Sequence, residues 1–158
     1  DLAKEIFMPM ETWGKFSEYT TDPNINPHYI RPAMLQQRLQ KIMDEYVGGV
    51  GTWYMTSKYM LEEGFYYLTL LKEDSYHMCA ENLHELLRAW ENFHRIIAGE
   101  AHARHIHYRE ETRYPGYYYR GDHLAIDDEN WKCFVNSTYD KETKEWNIFK
   151  REYHQLVS

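Results

Sequence analysis

Between Pro32 and Tyr108 the sequence carries three apolar stripes at helical spacing, and this limits the chain to a mainly helical fold. Pro32 suits a first helical position, where its missing N–H leaves no bond unmade. Leu35, Leu39, Ile42 and Tyr46 follow on one face, and Gly48-Gly49 supplies the residues that close a helix. A second helix is predicted from about Thr56 to Tyr76, with Met60, Gly64, Tyr67 and Leu71 along one side and Leu61, Phe65 and Leu68 beside them. Gly64 costs about 1 kcal/mol relative to alanine inside a helix, so it marks a place of close approach. The third helix is predicted to start at Asn82, a capping residue with Glu85 three positions on. Leu83, Leu86, Leu87, Trp90, Phe93, Ile97 and Ala101 carry its stripe toward Tyr108.

Flanking segments read differently. Residues 1–31 hold Pro9, Pro23 and Pro27 without a sustained period, and imply an irregular connection with one short helix around Glu11 to Tyr19. The opening Leu2-Ala3-Lys4-Glu5-Ile6-Phe7 reads as a helix already under way, the look of a fragment continuing from an upstream domain. Beyond Tyr108, two strand-like runs, Trp131 to Tyr139 and Glu145 to Tyr153, flank the polar Asp140-Lys141-Glu142-Thr143-Lys144 and predict a β-hairpin. An isolated hairpin is marginal in water, so this one is expected to lie on another domain or chain. The predicted organisation is a connection over 1–31, a three-helix antiparallel bundle over 32–108, and an extended tail with the hairpin over 109–158.

Charge excludes some functions. A net charge of −7 without a Lys/Arg block argues against nucleic acid. No apolar run is long enough for a transmembrane helix. Cys79 and Cys133 sit far apart in no ligand motif, as free thiols of a reducing cytoplasm do. Fifteen tyrosines give amphipathic surface of the kind enriched at protein interfaces, or an aromatic margin to the core.

Candidate chemistry is thin. His102, His105 and His107 crowd the end of the third helix, and His102 and His105 share a face on which a metal could bridge them. No carboxylate or cysteine at an obvious spacing completes such a site, and histidines also suit a helix C-terminus because its dipole is negative. Glu110-Glu111, between Arg109 and Arg113, reads as local ion pairing rather than an acid–base pair. Asp127-Asp128-Glu129-Asn130 lacks the alternation of a calcium loop and reads as a cap. Gly48-Gly49-Val50-Gly51 follows a helix and lacks a Lys-Ser/Thr, so it is a weak phosphate cradle. No serine sits in a nucleophile elbow.

Longer motifs carry a resemblance. Arg109-Glu110-Glu111-Thr112-Arg113-Tyr114-Pro115-Gly116-Tyr117-Tyr118-Tyr119-Arg120-Gly121-Asp122-His123, followed by Asp127-Asp128-Glu129-Asn130-Trp131, resembles the C-terminal part of dissimilatory adenylylsulfate reductase alpha subunits. So do Leu39-Gln40-Lys41-Ile42-Met43-Asp44-Glu45-Tyr46 with Gly48-Gly49, and Leu83-His84-Glu85-Leu86-Leu87-Arg88. More distantly the pattern is similar to the C-terminal helical domain of fumarate reductase and succinate dehydrogenase flavoproteins. Here Thr112 replaces that group's serine and Tyr114-Pro115-Gly116 stands where Gly-x-His would be, which fits the sulfur-metabolising branch.

The resemblance implies a parent oxidoreductase that converts adenylylsulfate to sulfite and AMP, with FAD in its alpha subunit and iron–sulfur clusters in a partner beta subunit. No catalytic, cofactor-binding or metal residue is implied within this segment, which by itself would be inactive. Its implied role is to buttress the flavin domain and dock onto the rest of the alpha subunit or onto the beta subunit. Arg113, Arg120, Asp122, Asp128 and Trp131 are the candidates for docking, since arginine offers a rigid fork of donors and tryptophan a large anchor. Two other readings stand beside it: an independent helical protein-binding module, and a small metalloprotein using His102, His105 and His107.

Overall fold

The computed structural model describes residues 30–154, except Glu81 and Pro115. The short helix expected around Glu11 to Tyr19 lies outside the described residues. Three long helices dominate: α1 (Pro32–Tyr46), α2 (Lys58–Ser75) and α3 (Leu83–Tyr108). Two-residue strands β1 (Met55–Thr56) and β2 (Tyr119–Arg120) pair in parallel, and a four-residue helix α4 (Asp128–Trp131) leads into the antiparallel hairpin β3 (Cys133–Tyr139) and β4 (Trp146–Glu152). The mainly helical class with a terminal hairpin is thus the observed one.

The chain divides into two compact units. The first takes residues 30–41 and 66–98, and its core comes from Leu35 and Leu39 on α1, Leu68 and Leu71 on α2, and Ala89 and Ile96 on α3, with Met78 and Cys79 from the connection. A single parallel bridge, Ile30 with Met78, brings the chain preceding α1 against the connection that follows α2. Buried Asn92 donates to the Pro32 carbonyl at 2.7 Å, which satisfies its amide and ties α3 to the first turn of α1. Arg38 pairs with Asp74 at 2.5 Å, an exposed contact of small energetic weight.

The second unit takes residues 42–65 and 99–154 and contains both two-stranded sheets. Gly48 adopts a left-handed φ of +86°, ending α1 as its sequence position predicts. Gly64 meets the side chain of Tyr46, where an added Cβ would sit 3.0 Å from the Tyr46 Cβ, so the predicted close approach is real. The hairpin turn is closed by Asp140, whose carboxylate accepts the N–H groups of Glu142 and Thr143 at 2.7 and 3.1 Å. Lys144 takes a positive φ at the strand's return.

Two sequence expectations shift. Trp131, predicted to begin a strand, ends α4 instead, because Asp127 caps that turn with its side chain on the Asn130 N–H. On α3 the buried line is Ala89, Asn92, Ile96, Gly99, Ala103 and Ile106, while Leu83 and Leu87 are exposed. Small side chains carry little hydropathy, so a reading weighted by apolar bulk selects the neighbouring face. The hairpin lies against α3. Glu100 accepts the Trp146 indole N–H at 3.1 Å, and His105 bonds Ser137 at 2.9 Å.

Gly64→Val should destabilise the protein by about 1–3 kcal/mol, since its branched side chain must displace Tyr46. A urea melt monitored by circular dichroism checks this, and an unchanged midpoint would show that the Tyr46 contact yields freely.

Candidate functional site

The polar core of the second unit is built where α3 ends. A helix leaves its last carbonyls without intrahelical donors, and burying them requires partners. Arg120 supplies them: its Nη1 donates to the carbonyls of Ile106, His107 and Arg109 at 2.7, 3.1 and 2.9 Å. Its Nε and Nη2 grip Asp122 Oδ1 and Oδ2 at 2.9 and 2.8 Å. The residue is only 1% exposed. Asp122 in turn accepts the backbone N–H of Lys58, the first residue of α2, at 3.0 Å. A cation therefore sits at one helix C-terminus and an anion at another helix N-terminus, each complementing its dipole. The paired guanidinium and the Lys58 N–H hold the Asp122 carboxyl well below the usual carboxylate range.

The strand pair positions this arginine. Tyr119 and Gly121 donate to the carbonyls of Tyr54 and Thr56 at 2.6 and 2.7 Å, fixing residues 119–121 beside β1. Buried Thr112 accepts the Arg120 N–H at 2.9 Å and donates to the His123 carbonyl at 2.8 Å. A hydroxyl is needed here, which gives a physical reason for serine or threonine at this position.

Glu111 forms the second half of the cluster. Its fully buried carboxylate accepts Arg113 Nε and Nη2 at 2.7 and 3.0 Å, the Asp127 N–H at 2.9 Å, and a short bond from Arg109. Burial pushes this carboxyl up, but the hydrogen bonds from Arg113, the Asp127 N–H and Arg109 outweigh it, and the net shift is downward. Arg113 reaches Asp128 at 2.9 Å, and Arg109 also donates to the Trp131 and Cys133 carbonyls at 2.9 and 2.7 Å. The Trp131 ring lies edge-on to Tyr108, while the Lys150 ammonium stands 3.6 Å from its centroid.

The five proposed docking residues thus all have partners within this unit. Arg113, Arg120 and Asp122 join the cluster, Trp131 is buried beside it, and Asp128 sits at its exposed edge. Arg109, Glu111 and Thr112 are equally central; the Glu111 pairing was visible as alternating charge, whereas the carbonyl contacts of Arg109 and the Thr112 bridge had no local signal. His102 lies near His105, and burial and that neighbour both oppose its protonation. His105 faces Ser137, and His107 approaches Glu62 at 3.4 Å with its ring edge-on to Phe65. Among the described residues no group of three or more His, Cys, Asp or Glu side chains is placed to hold a metal ion.

The cluster is charge-balanced. Three arginines face three carboxylates, with Glu111 and Asp122 held ionised and fully occupied. Burial and the nearby Arg109 charge both oppose protonation of His105, which bonds Ser137. Burial also raises the Cys79 thiol, which leaves it a poor nucleophile. The glycine loop after α1 is filled from within: Asp44 Oδ1 accepts the Gly51 N–H at 2.9 Å, and a Cβ on Gly49 or Gly51 would collide with Asp44. A carboxylate in that position repels a phosphate.

Comparison with known proteins now bears on the reading. No family model matches the chain. The adenylylsulfate reductase subunit alpha of Megalodesulfovibrio gigas is 50% identical over 157 residues, covering 99% of this chain. The chain is homologous to part of an adenylylsulfate reductase alpha subunit. It spans 24% of that relative's length, in the C-terminal part. Adenylylsulfate reductase from the hyperthermophilic Archaeoglobus fulgidus superposes with a TM-score of 0.86 at 47% identity, covering 99% of this chain and 24% of that one. A structure of adenosine-5-phosphosulfate reductase holding sulfite as a covalent adduct matches equally, with a TM-score of 0.86 and 47% identity.

Arg120→Leu should cost about 1–3 kcal/mol, because the carbonyls ending α3 would remain buried without their donor and Asp122 would lose its paired guanidinium. Arg120→Lys should recover little, since an ammonium cannot reproduce the guanidinium fork. Chemical denaturation of both variants checks this; near-wild-type stability for Arg120→Lys would refute the geometric requirement. Acid should act through Glu111. Its folded-state pKa lies below the ordinary 4.5, so its contribution is complete above the ordinary range and lost as pH falls through the folded value. Melts from pH 7 down to pH 3 should show a shallower acid loss for Glu111→Gln than for wild type, from a lower starting stability.

Proposed function

We propose that this chain belongs to the FAD-carrying alpha subunit of an adenylylsulfate reductase, which converts adenylylsulfate to sulfite and AMP. The observation that carries the reading is 50% identity sustained over 99% of the chain. It is supported by similarity of both sequence and fold to solved reductases. In such an enzyme FAD, where bound, supplies the reducing electrons to sulfur, and the iron–sulfur beta subunit feeds them to the flavin.

The segment's own part in this is mechanical. The donors and acceptors of its arginine–carboxylate cluster are committed to one another, so this cluster contributes no acid, base or ligand to the reaction. Their work is to hold the ends of α2 and α3 and the hairpin in fixed geometry, giving the flavin domain a stiff support. Docking onto the rest of the alpha subunit or onto the beta subunit then falls to the cluster's exposed margin, where Asp128 lies, rather than to buried Arg120. No helix among the described residues is long and apolar enough to cross a membrane; a cytoplasmic enzyme is the setting that the reading implies.

Intact mass and peptide mapping of the protein from its source organism test this directly. A chain much heavier than 19.3 kDa is expected. It should bring flavin absorbance, upstream peptides with a dinucleotide-binding glycine motif, and AMP-dependent sulfite oxidation. A 19.3 kDa species lacking flavin would overturn the assignment in favour of an independent binding module.

A further inference from the structure

Residues 50–55 present an unusual surface. Trp53 is 85% exposed and Val50 70%, with Tyr54 and Met55 also exposed, so four apolar side chains face outward from six consecutive residues. Trp53 and Tyr54 both adopt left-handed backbone, with φ of 55° and 62°. Two adjacent aromatic residues in that region are rare, because Cβ crowds the backbone there, and such strain persists only where the surroundings impose it.

The surroundings do impose it. The Trp53 N–H donates to the Val50 carbonyl at 3.0 Å, and the Tyr54 N–H to Gly49 at 2.8 Å. The Thr52 hydroxyl bonds the carbonyls of Asp44 and Gly49 at 3.3 and 3.1 Å. The Asp44 carboxylate anchors Gly51, and the Tyr54 carbonyl is held by the Tyr119 N–H. A loop with a free choice would turn the indole inward or relax its backbone. This one has its backbone braced to present it, and a loop ordered in advance binds with less entropic loss.

We infer that Trp53, at the head of the 50–55 loop, is an anchor that inserts into the remainder of the same alpha subunit, seating this segment on the domain that carries the flavin. The inference rests on the reductase reading and names the contact through which the buttressing acts. The chain spans 24% of its relative's length, so three-quarters of such a polypeptide is available to cover the loop. A permanently exposed tryptophan on a strained loop favours a cover that is always present. A tethered domain meets that condition better than a separate chain, because its effective concentration does not fall on dilution.

The test uses the intact, flavin-loaded enzyme with its partner subunit. A photoreactive p-benzoylphenylalanine replaces Trp53, and a control carries it at Lys141 in the exposed hairpin turn. Irradiation should join the peptide containing position 53 to a peptide upstream of Asp1 in the same polypeptide, with at least a tenfold greater yield than the control. Joining to a different polypeptide, or a yield no greater than the control, would overturn the inference. Hydroxyl-radical footprinting of the unaltered enzyme gives an answer if the substituted protein does not fold. Trp53 should be oxidised at least tenfold more slowly in the native enzyme than after unfolding, and equal rates would overturn the inference. Failure of the reductase reading is visible separately, as absence of flavin and of any polypeptide upstream of Asp1.

Discussion

The Arg120 guanidinium is the interaction on which the second unit depends. One side chain satisfies the carbonyls that end α3 and grips the carboxylate that meets the start of α2. The end of α3 could not be buried without it, because an unpaired carbonyl away from water costs about 1–3 kcal/mol. An arginine can do this alone because its donors lie in one plane and spread over two edges. The short β1–β2 pair and the Thr112 hydroxyl exist in the fold as the devices that aim it.

Around that residue the charges are arranged to cancel locally. Glu111 gathers Arg109 and Arg113, and Arg109 passes on to the carbonyls of Trp131 and Cys133 where the hairpin begins. The hairpin, which would be marginal alone, is held by these bonds together with Trp146 on Glu100 and Ser137 on His105. A cluster so fully committed is inert toward protons near neutrality. That inertness suits a support: a framework whose carboxylates titrated in the working range would loosen with pH, whereas Glu111 and Asp122 stay ionised well into acid. In the first unit a neutral contact does comparable work, with Asn92 tying α3 to the first turn of α1.

Much of this was legible in the residues. Pro32 and Gly48 bracket α1, Asn82 caps α3 through the Glu85 N–H, and the Asp140 turn separates two strand-like runs. Helix starts, helix stops and tight turns are set by interactions within a few residues, so local chemistry reveals them. The resemblance rested on Arg109 to His123, the stretch the structure packs most densely with buried polar groups. Where the reading slipped, the cause was long-range. The α3 stripe was assigned by bulk, yet its buried line uses alanine and glycine, and which face is covered depends on what comes to lie against it. Which residues of α3 meet the hairpin, Glu100 and His105, likewise cannot be seen from spacing.

The sequence by itself determined the helices, the hairpin, the pairing of Glu111 with its arginine neighbours, and the likeness to part of a reductase alpha subunit, since each rests on local periodicity or on motif order. Only the tertiary structure decided that Arg120 and Asp122 meet the ends of two helices. It also decided that Asp44 fills the glycine loop and that Trp53 is held outward. These last outcomes join residues far apart in the chain or turn on backbone torsions, and a side chain's type does not tell which carbonyl, amide or solvent it will meet once the chain has folded.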